Sequence, residues 1–112
     1  MTAADIISRV RDLISDTVEE YRWGDTRLLR YISDGLQEIW RLAPDAFHLT
    51  SVVIDAPDEA TATNSTISMR TEYRAALCSY VCWRALGEDA EDVDNMDLSK
   101  QHLREFNDRV AL

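Results

Sequence analysis

The chain has 112 residues, 46% hydrophobic and 29% charged, the balance of one globular domain with a single core and no room for a second. Its 21 acids outweigh 12 bases to give a net charge of −9, shared by both halves, which argues against a surface built to coat nucleic acid. Only three glycines and two prolines are present, so long helices are favoured over a turn-rich β architecture, and no apolar run approaches the roughly 20 residues that span a bilayer.

The N-terminal stretch MTAADIISRVRDLI mixes charges into its apolar residues, which is not the pattern of a signal peptide, and a cytoplasm-like compartment is expected. It reads instead as a first helix from about Ala3 to Ser15, with Thr2 as its cap, Asp5 placed to answer it, and Ile6, Val10, Leu13 and Ile14 turned inward. A linker, Asp16–Gly24, follows and carries Glu19, Glu20, Tyr21 and Trp23.

The second helix is the plainest element. Leu28, Leu29, Ile32, Leu36, Ile39 and Trp40 fall on one face at about 3.6 residues per turn, while Arg27, Arg30, Ser33, Asp34, Gln37, Glu38 and Arg41 fall mostly on the other. Asp25 is placed to accept hydrogen bonds from the first turn, Gly24 to allow a sharp turn before it, and Pro44 to end the helix. Gly35 in mid-helix costs about 1 kcal/mol relative to Ala, so it marks either close approach by a neighbouring backbone or simple tolerance.

Beyond Pro44, His48–Ala56 contains the β-branched run Ser51-Val52-Val53-Ile54, which predicts a short strand, and Pro57–Ser68 reads as a polar loop, the segment expected to move most. A third helix is predicted over about Glu72 to Leu86, capped by Thr71 and closed by Gly87, with Tyr73, Ala76, Leu77, Tyr80, Val81 and Arg84 along one side. A fourth starts within Asp92–Leu98 and runs to Val110, with Met96, Leu103, Phe106 and Val110 on one face and Lys100, Gln101, Arg104, Glu105 and Asp108 outward. The expected fold is all-α: a small bundle of about four helices with a short irregular or β-like middle segment, forming one domain over residues 1–112.

A search for chemistry returns little. Cys78 and Cys82, four apart on a helix, suit burial better than a disulfide or a zinc site, and neither His48 nor His102 has a metal-spaced partner. Glu88–Asp97 packs six carboxylates into ten residues, yet it lacks the glycine and closing glutamate of a calcium loop and reads as a solvated corner with acids at a helix start. No phosphate-cradling loop and no nucleophile elbow is present. No catalytic residue, metal or cofactor is expected. Eleven of the twelve bases are Arg, read first as protein contacts because of the planar, multiply hydrogen-bonding guanidinium.

Two blocks then carry a resemblance. Trp23-Gly24-Asp25, Leu28-Leu29-Arg30-Tyr31-Ile32-Ser33-Asp34-Gly35, Glu38-Ile39, Arg41 and Pro44-Asp45-Ala46 resemble the W-x-D turn, "LLxYINDGxxEI" helix and "RPDA" ending of tailed-phage head-to-tail connector (adaptor) proteins. Glu72-Tyr73, Ala76-Leu77, Tyr80-Val81, Arg84-Ala85-Leu86 and Glu88-Asp89-Ala90-Glu91 are similar to the family's "EYhdALvdYVlyRAlskDAE" segment. The resemblance covers most of the chain outside about Phe47–Ser68. It departs at Met69-Arg70-Thr71, where the family often starts its third helix with proline and Asp, at Arg41, which stands where "RPDA" has its arginine displaced, and in a shorter middle segment.

The resemblance implies a structural virion protein, not an enzyme, made in the host cytoplasm and resident at the head-tail junction. About a dozen copies would form a ring on the portal protein, in heterologous contact with one another, extend the DNA channel and seat the next neck or tail protein. DNA would pass through an acidic lumen without specific binding. The family's portal grip implies an interface at Arg104, Phe106, Arg109, Val110 and Leu112, although Phe106 and Val110 also read as core. Trp23 has two readings as well, packing over the helix start or anchoring a neighbouring subunit, whereas Trp40 lies on the apolar stripe and is expected inside. The alternative function is a helix-turn-helix DNA-binding regulator; its mark would be a basic recognition helix, and here Arg27, Arg30 and Arg41 are balanced by Asp34 and Glu38.

Overall fold

Among the described residues the computed structural model holds four α-helices and two short 3-10 turns: α1 (Ala3–Leu13), α2 (Asp25–Leu42), a turn at Pro44–Phe47, a second at Thr71–Tyr73, α3 (Arg74–Glu88) and α4 (Val93–Val110). The structure describes residues 2–14, 16, 23–47, 62, 65–88 and 93–110, with only the backbone of Glu88, Val93, Asp94 and Asn95. The chain is all-α. The predicted strand at Ser51–Ile54 and most of the predicted loop lie outside the described residues, among which the one extended pairing is an isolated antiparallel bridge between Thr2 and Thr66.

α1 begins as its sequence dictates. The Thr2 N–H donates to Asp5 Oδ2 at 2.9 Å and the Asp5 N–H to Thr2 Oγ1 at 3.4 Å, a reciprocal capping box. The first of these bonds holds the Asp5 carboxyl below its ordinary pKa of 3.8. Ala3, Ile6, Ile7 and Val10 are buried, but the helix stops at Leu13, short of Ser15, and Leu13 is 44% exposed. At 100° per residue Leu13 falls on the side of Arg9, away from the centre of the buried face, and Arg11 occupies the inward position.

That buried arginine ties α1 to α2. Arg11 Nη1 donates to Asp16 Oδ2 at 2.7 Å and to the Trp23 carbonyl at 2.9 Å, and Nη2 donates to Asp25 Oδ1 at 2.8 Å. Asp25 is therefore the first residue of α2 and not its cap. Gly24 holds the cap position in ordinary extended backbone, φ −70°, with open space around it, so the turn does not require glycine there. Trp23 is buried, and its Nε1 donates to the Ala85 carbonyl on α3 at 2.9 Å.

α2 buries Leu28, Tyr31, Ile32, Gly35, Leu36 and Ile39. Leu29 and Trp40 flank this face, half-buried, with Trp40 edge-on to Phe47 at 5.9 Å between ring centroids, so the expected placement of Trp40 in the core is corrected. The face is centred on Gly35, where close approach is the operative reading. A Cβ there would lie 2.7 Å from Leu77 Cδ1 and 2.8 Å from Tyr80 Cδ1. Gly35→Ala gains helix propensity of about 1 kcal/mol but overpacks this seam by about 1–3 kcal/mol. We expect a lower urea midpoint, and an unchanged or higher one would refute the packing argument. Arg84 closes the same seam at its edge, donating to Asp34 Oδ2 at 3.1 Å and Tyr80 OH at 3.0 Å, with its guanidinium carbon 5.0 Å from the Tyr31 ring centre.

α3 is the axle of the fold. α1, α2 and α4 all pack on it, and Ala76, Leu77, Cys78, Tyr80, Val81, Cys82, Ala85 and Leu86 are buried around nearly its whole circumference. Two predicted caps are corrected. Thr71 opens a 3-10 turn that runs into α3, and Arg70 precedes it without a side-chain cap. Gly87 sits inside the last turn of α3, where its missing side chain admits Ser99; a Cβ would stand 3.1 Å from Ser99 Oγ, which donates to the Trp83 carbonyl at 2.8 Å. On α4, Phe106 and Val110 are buried and Leu103 is half-buried, whereas Met96, expected inside, is 39% exposed near the start of the helix, beside an exposed Leu98.

Candidate functional site

α1 and α4 both lean on α3 and scarcely touch each other. The space between them is a cleft of about 500 Å³ floored by Ala75, Cys78 and Ser79. Its walls come from polar stripes at helical spacing. α1 presents Asp5, Ser8, Arg9 and Asp12, and α4 presents His102, Glu105 and Arg109, with Arg74 at the start of α3.

Three guanidiniums, from Arg9, Arg74 and Arg109, thus converge on one cleft from three helices. Among the described residues none of the three has a hydrogen-bond or ion-pair partner. The carboxylates beside them are partly engaged: Asp5 accepts the Thr2 N–H, and Glu105 Oε2 stands 3.6 Å from His102 Nδ1. That His102 nitrogen is buried and has no hydrogen-bond partner. Burial holds the His102 pKa below its ordinary 6.5, against the opposing pull of Glu105.

A histidine whose folded-state pKa is lowered binds its proton more weakly than in the unfolded chain. Stability is therefore lost as pH falls from about 6.5 towards the folded pKa. Melting temperatures of wild type and His102→Gln should accordingly diverge in slope below pH 6.5, the wild type falling more steeply. Parallel curves would remove His102 from the account.

The cleft is not arranged for nucleophilic chemistry. Burial pushes the Cys78 thiol up to about 11 in spite of the three arginines, and the Cys82 thiol, deeper in α3, up to about 12, so both stay protonated. Among the described residues, no group of His, Cys, Asp or Glu is gathered to hold a metal ion, and no helix is long and apolar enough to cross a membrane. The cleft is polar and of mixed charge, the guanidiniums of Arg9, Arg74 and Arg109 standing among the carboxylates of Asp5, Asp12 and Glu105.

The six residues named as interface candidates from sequence part company here. Trp23, Phe106 and Val110 are core side chains. Arg109 lines the cleft, and Arg104 is exposed about 140° around α4 from it, outside the cleft. Leu112 lies outside the described residues. Sequence reasoning missed Arg9 and Arg74. The only available signal was the polar stripe along α1, which reveals a face but not what opposes it.

A second, shallower groove of about 310 Å³ lies between the end of α2 and the α3–α4 pair, bounded by Arg41, Leu42, Trp83 and Leu103, with Leu42 43% exposed. Compared with known proteins, the chain matches no family model, no curated protein and no solved structure.

Proposed function

We propose that this chain is a structural subunit of a tailed-phage head-to-tail connector, docking on the portal vertex as a ring that extends the DNA channel and seats the next neck or tail protein. The observation that carries the reading is how the two resembling blocks meet. Gly35 of the first packs against Leu77 and Tyr80 of the second, so the two blocks form one mutually fitted helix pair, which supports reading them together.

The two different grooves on opposite sides of the α3–α4 pair also support it, because a closed ring needs one face of a subunit to meet a different face of the next. Two such contacts of about 800 Å² each would occupy roughly a quarter of the 6787 Å² surface. The net charge of −9 suits a channel past which DNA slides.

The test is negative-stain imaging and co-sedimentation of the purified protein with the portal ring encoded by the same genome. Rings seated on the portal are expected. A folded protein that leaves the portal bare sinks the reading, and a gel-shift titration with duplex DNA then examines the helix-turn-helix alternative.

A further inference from the structure

One nitrogen in the cleft is at odds with its surroundings. His102 Nδ1 is buried without a hydrogen-bond partner among the described residues, and it stands 3.6 Å from Oε2 of the Glu105 carboxylate. A neutral imidazole has one N–H. If that proton is on Nε2, Nδ1 turns a lone pair towards a carboxylate; if it is on Nδ1, 3.6 Å is too long for a hydrogen bond. Neither neutral form satisfies the nitrogen.

We propose that His102 and Glu105 form a proton-operated clasp, in which protonation of the ring draws the Glu105 carboxylate onto Nδ1 and leaves the cleft with one more positive charge. The imidazolium carries an N–H on both nitrogens, so Nδ1 becomes a donor whichever tautomer preceded it. Closing the gap by about 0.8 Å then brings the pair to the length of a charge-assisted bond. Glu105 has the freedom to move, because its side chain is 37% exposed, whereas that of His102 is 14% exposed and held in the wall. The two lie three residues apart on α4, so the helix itself keeps them adjacent.

The surrounding charges set the clasp. α1 brings Asp5, Arg9 and Asp12 to the cleft, α3 brings Arg74 and Cys78, and α4 brings Arg109 beside Glu105. Three guanidiniums stand among three carboxylates and the Cys78 thiol stays protonated, so these groups balance one another while His102 is neutral. One proton therefore fixes the sign of the cleft. Burial opposes that proton most strongly, Glu105 favours it and Arg109 opposes it weakly, so the ring titrates below 6.5 and the clasp closes in acid. The new bond recovers part of the cost of charging a buried ring, and the chain is still less stable in acid than at neutral pH.

Side-chain nitrogen-15 and carbon-13 NMR decides it, in a His48→Gln background that leaves a single ring to follow. As the pH falls below 6.5, Nδ1 should gain its proton, that proton should be protected from exchange with water, and the Glu105 carboxyl carbon should inflect at the same pH. The inflection should vanish in His102→Gln. Glu105→Gln should lower the ring's pKa by about 0.5 or more and Arg109→Gln should raise it, since each removes one of the two α4 charges that bear on the ring. Circular dichroism checks that these variants fold, and the Glu105 carbon is read with both partners in place, so the clasp is tested even where a variant does not. A Glu105 signal blind to the His102 titration, an Nδ1 proton that exchanges as fast as in free imidazolium, or a folded Glu105→Gln chain with an unchanged ring pKa overturns it.

Discussion

Arg11→Ala is expected to be the most destabilising single truncation in the molecule, lowering stability by about 3–5 kcal/mol through the loss of one partner of a buried ion pair. Arg11 and Asp16 have side chains only 7% exposed and 2.7 Å apart. The guanidinium also holds the Trp23 carbonyl, and the Trp23 N–H reaches back to Asp16 Oδ2 at 3.3 Å. Removing it leaves a carboxylate facing the interior without the cation that offsets its desolvation. The Asp25 contact contributes less, because that carboxylate is 56% exposed.

Thermal unfolding should show a fall of well over 10 °C for a domain of this size. Arg11→Met/Asp16→Leu, which removes both charges and keeps apolar volume, should recover part of the loss. A melting temperature within 2–3 °C of wild type for Arg11→Ala, roughly half a kcal/mol, would show that solvent reaches the pair and that the clamp is dispensable.

Phe106→Ala comes second, with about 3–5 kcal/mol expected from the lost transfer energy and the cavity left behind. Phe106 is 2% exposed and lies edge-on to Tyr80, centroids 5.3 Å apart at 62°; Tyr80 is in turn edge-on to Trp83 at 5.2 Å. These edge-to-face contacts add to the area term. Phe106→Leu, closer in volume, should cost well under half as much. The experiment also separates the two readings of this residue. A core Phe106 weakens the isolated chain in denaturant titration, whereas a partner contact leaves the isolated chain unaltered and weakens only its association.

The comparison of sequence and structure is most instructive at α2. The apolar spacing identified the helix and four of its buried residues, Leu28, Ile32, Leu36 and Ile39. It placed the centre of the face too far towards Leu29 and Trp40, because Gly35 adds nothing to a hydrophobic pattern although it is the point of closest approach. Caps followed the same logic. Thr2 and Asp5 answer each other within one turn, so local sequence suffices; the Asp25 carboxylate is drawn instead to Arg11, fourteen positions away, which no local signal records.

The exposure of Leu13 and Met96 has a similar origin, since an apolar residue near the edge of a stripe is covered only if a neighbouring helix overlaps it. The arginine cleft was the least legible feature of all. It exists because α1 and α4 diverge across α3, and its three guanidiniums come from positions 9, 74 and 109, brought together only by the packing of three helices.

The hydrogen bond from the Trp23 indole to the Ala85 carbonyl gives the molecule a built-in optical gauge. Trp23 is enclosed and rigidly held where the α1–α2 clamp meets the axle helix, while Trp40 and Trp83 sit half-open on other seams. In a chain with the other two tryptophans replaced by phenylalanine, its emission would report the docking of α1 and α2 onto α3. One side chain thereby reads the meeting point of three helices.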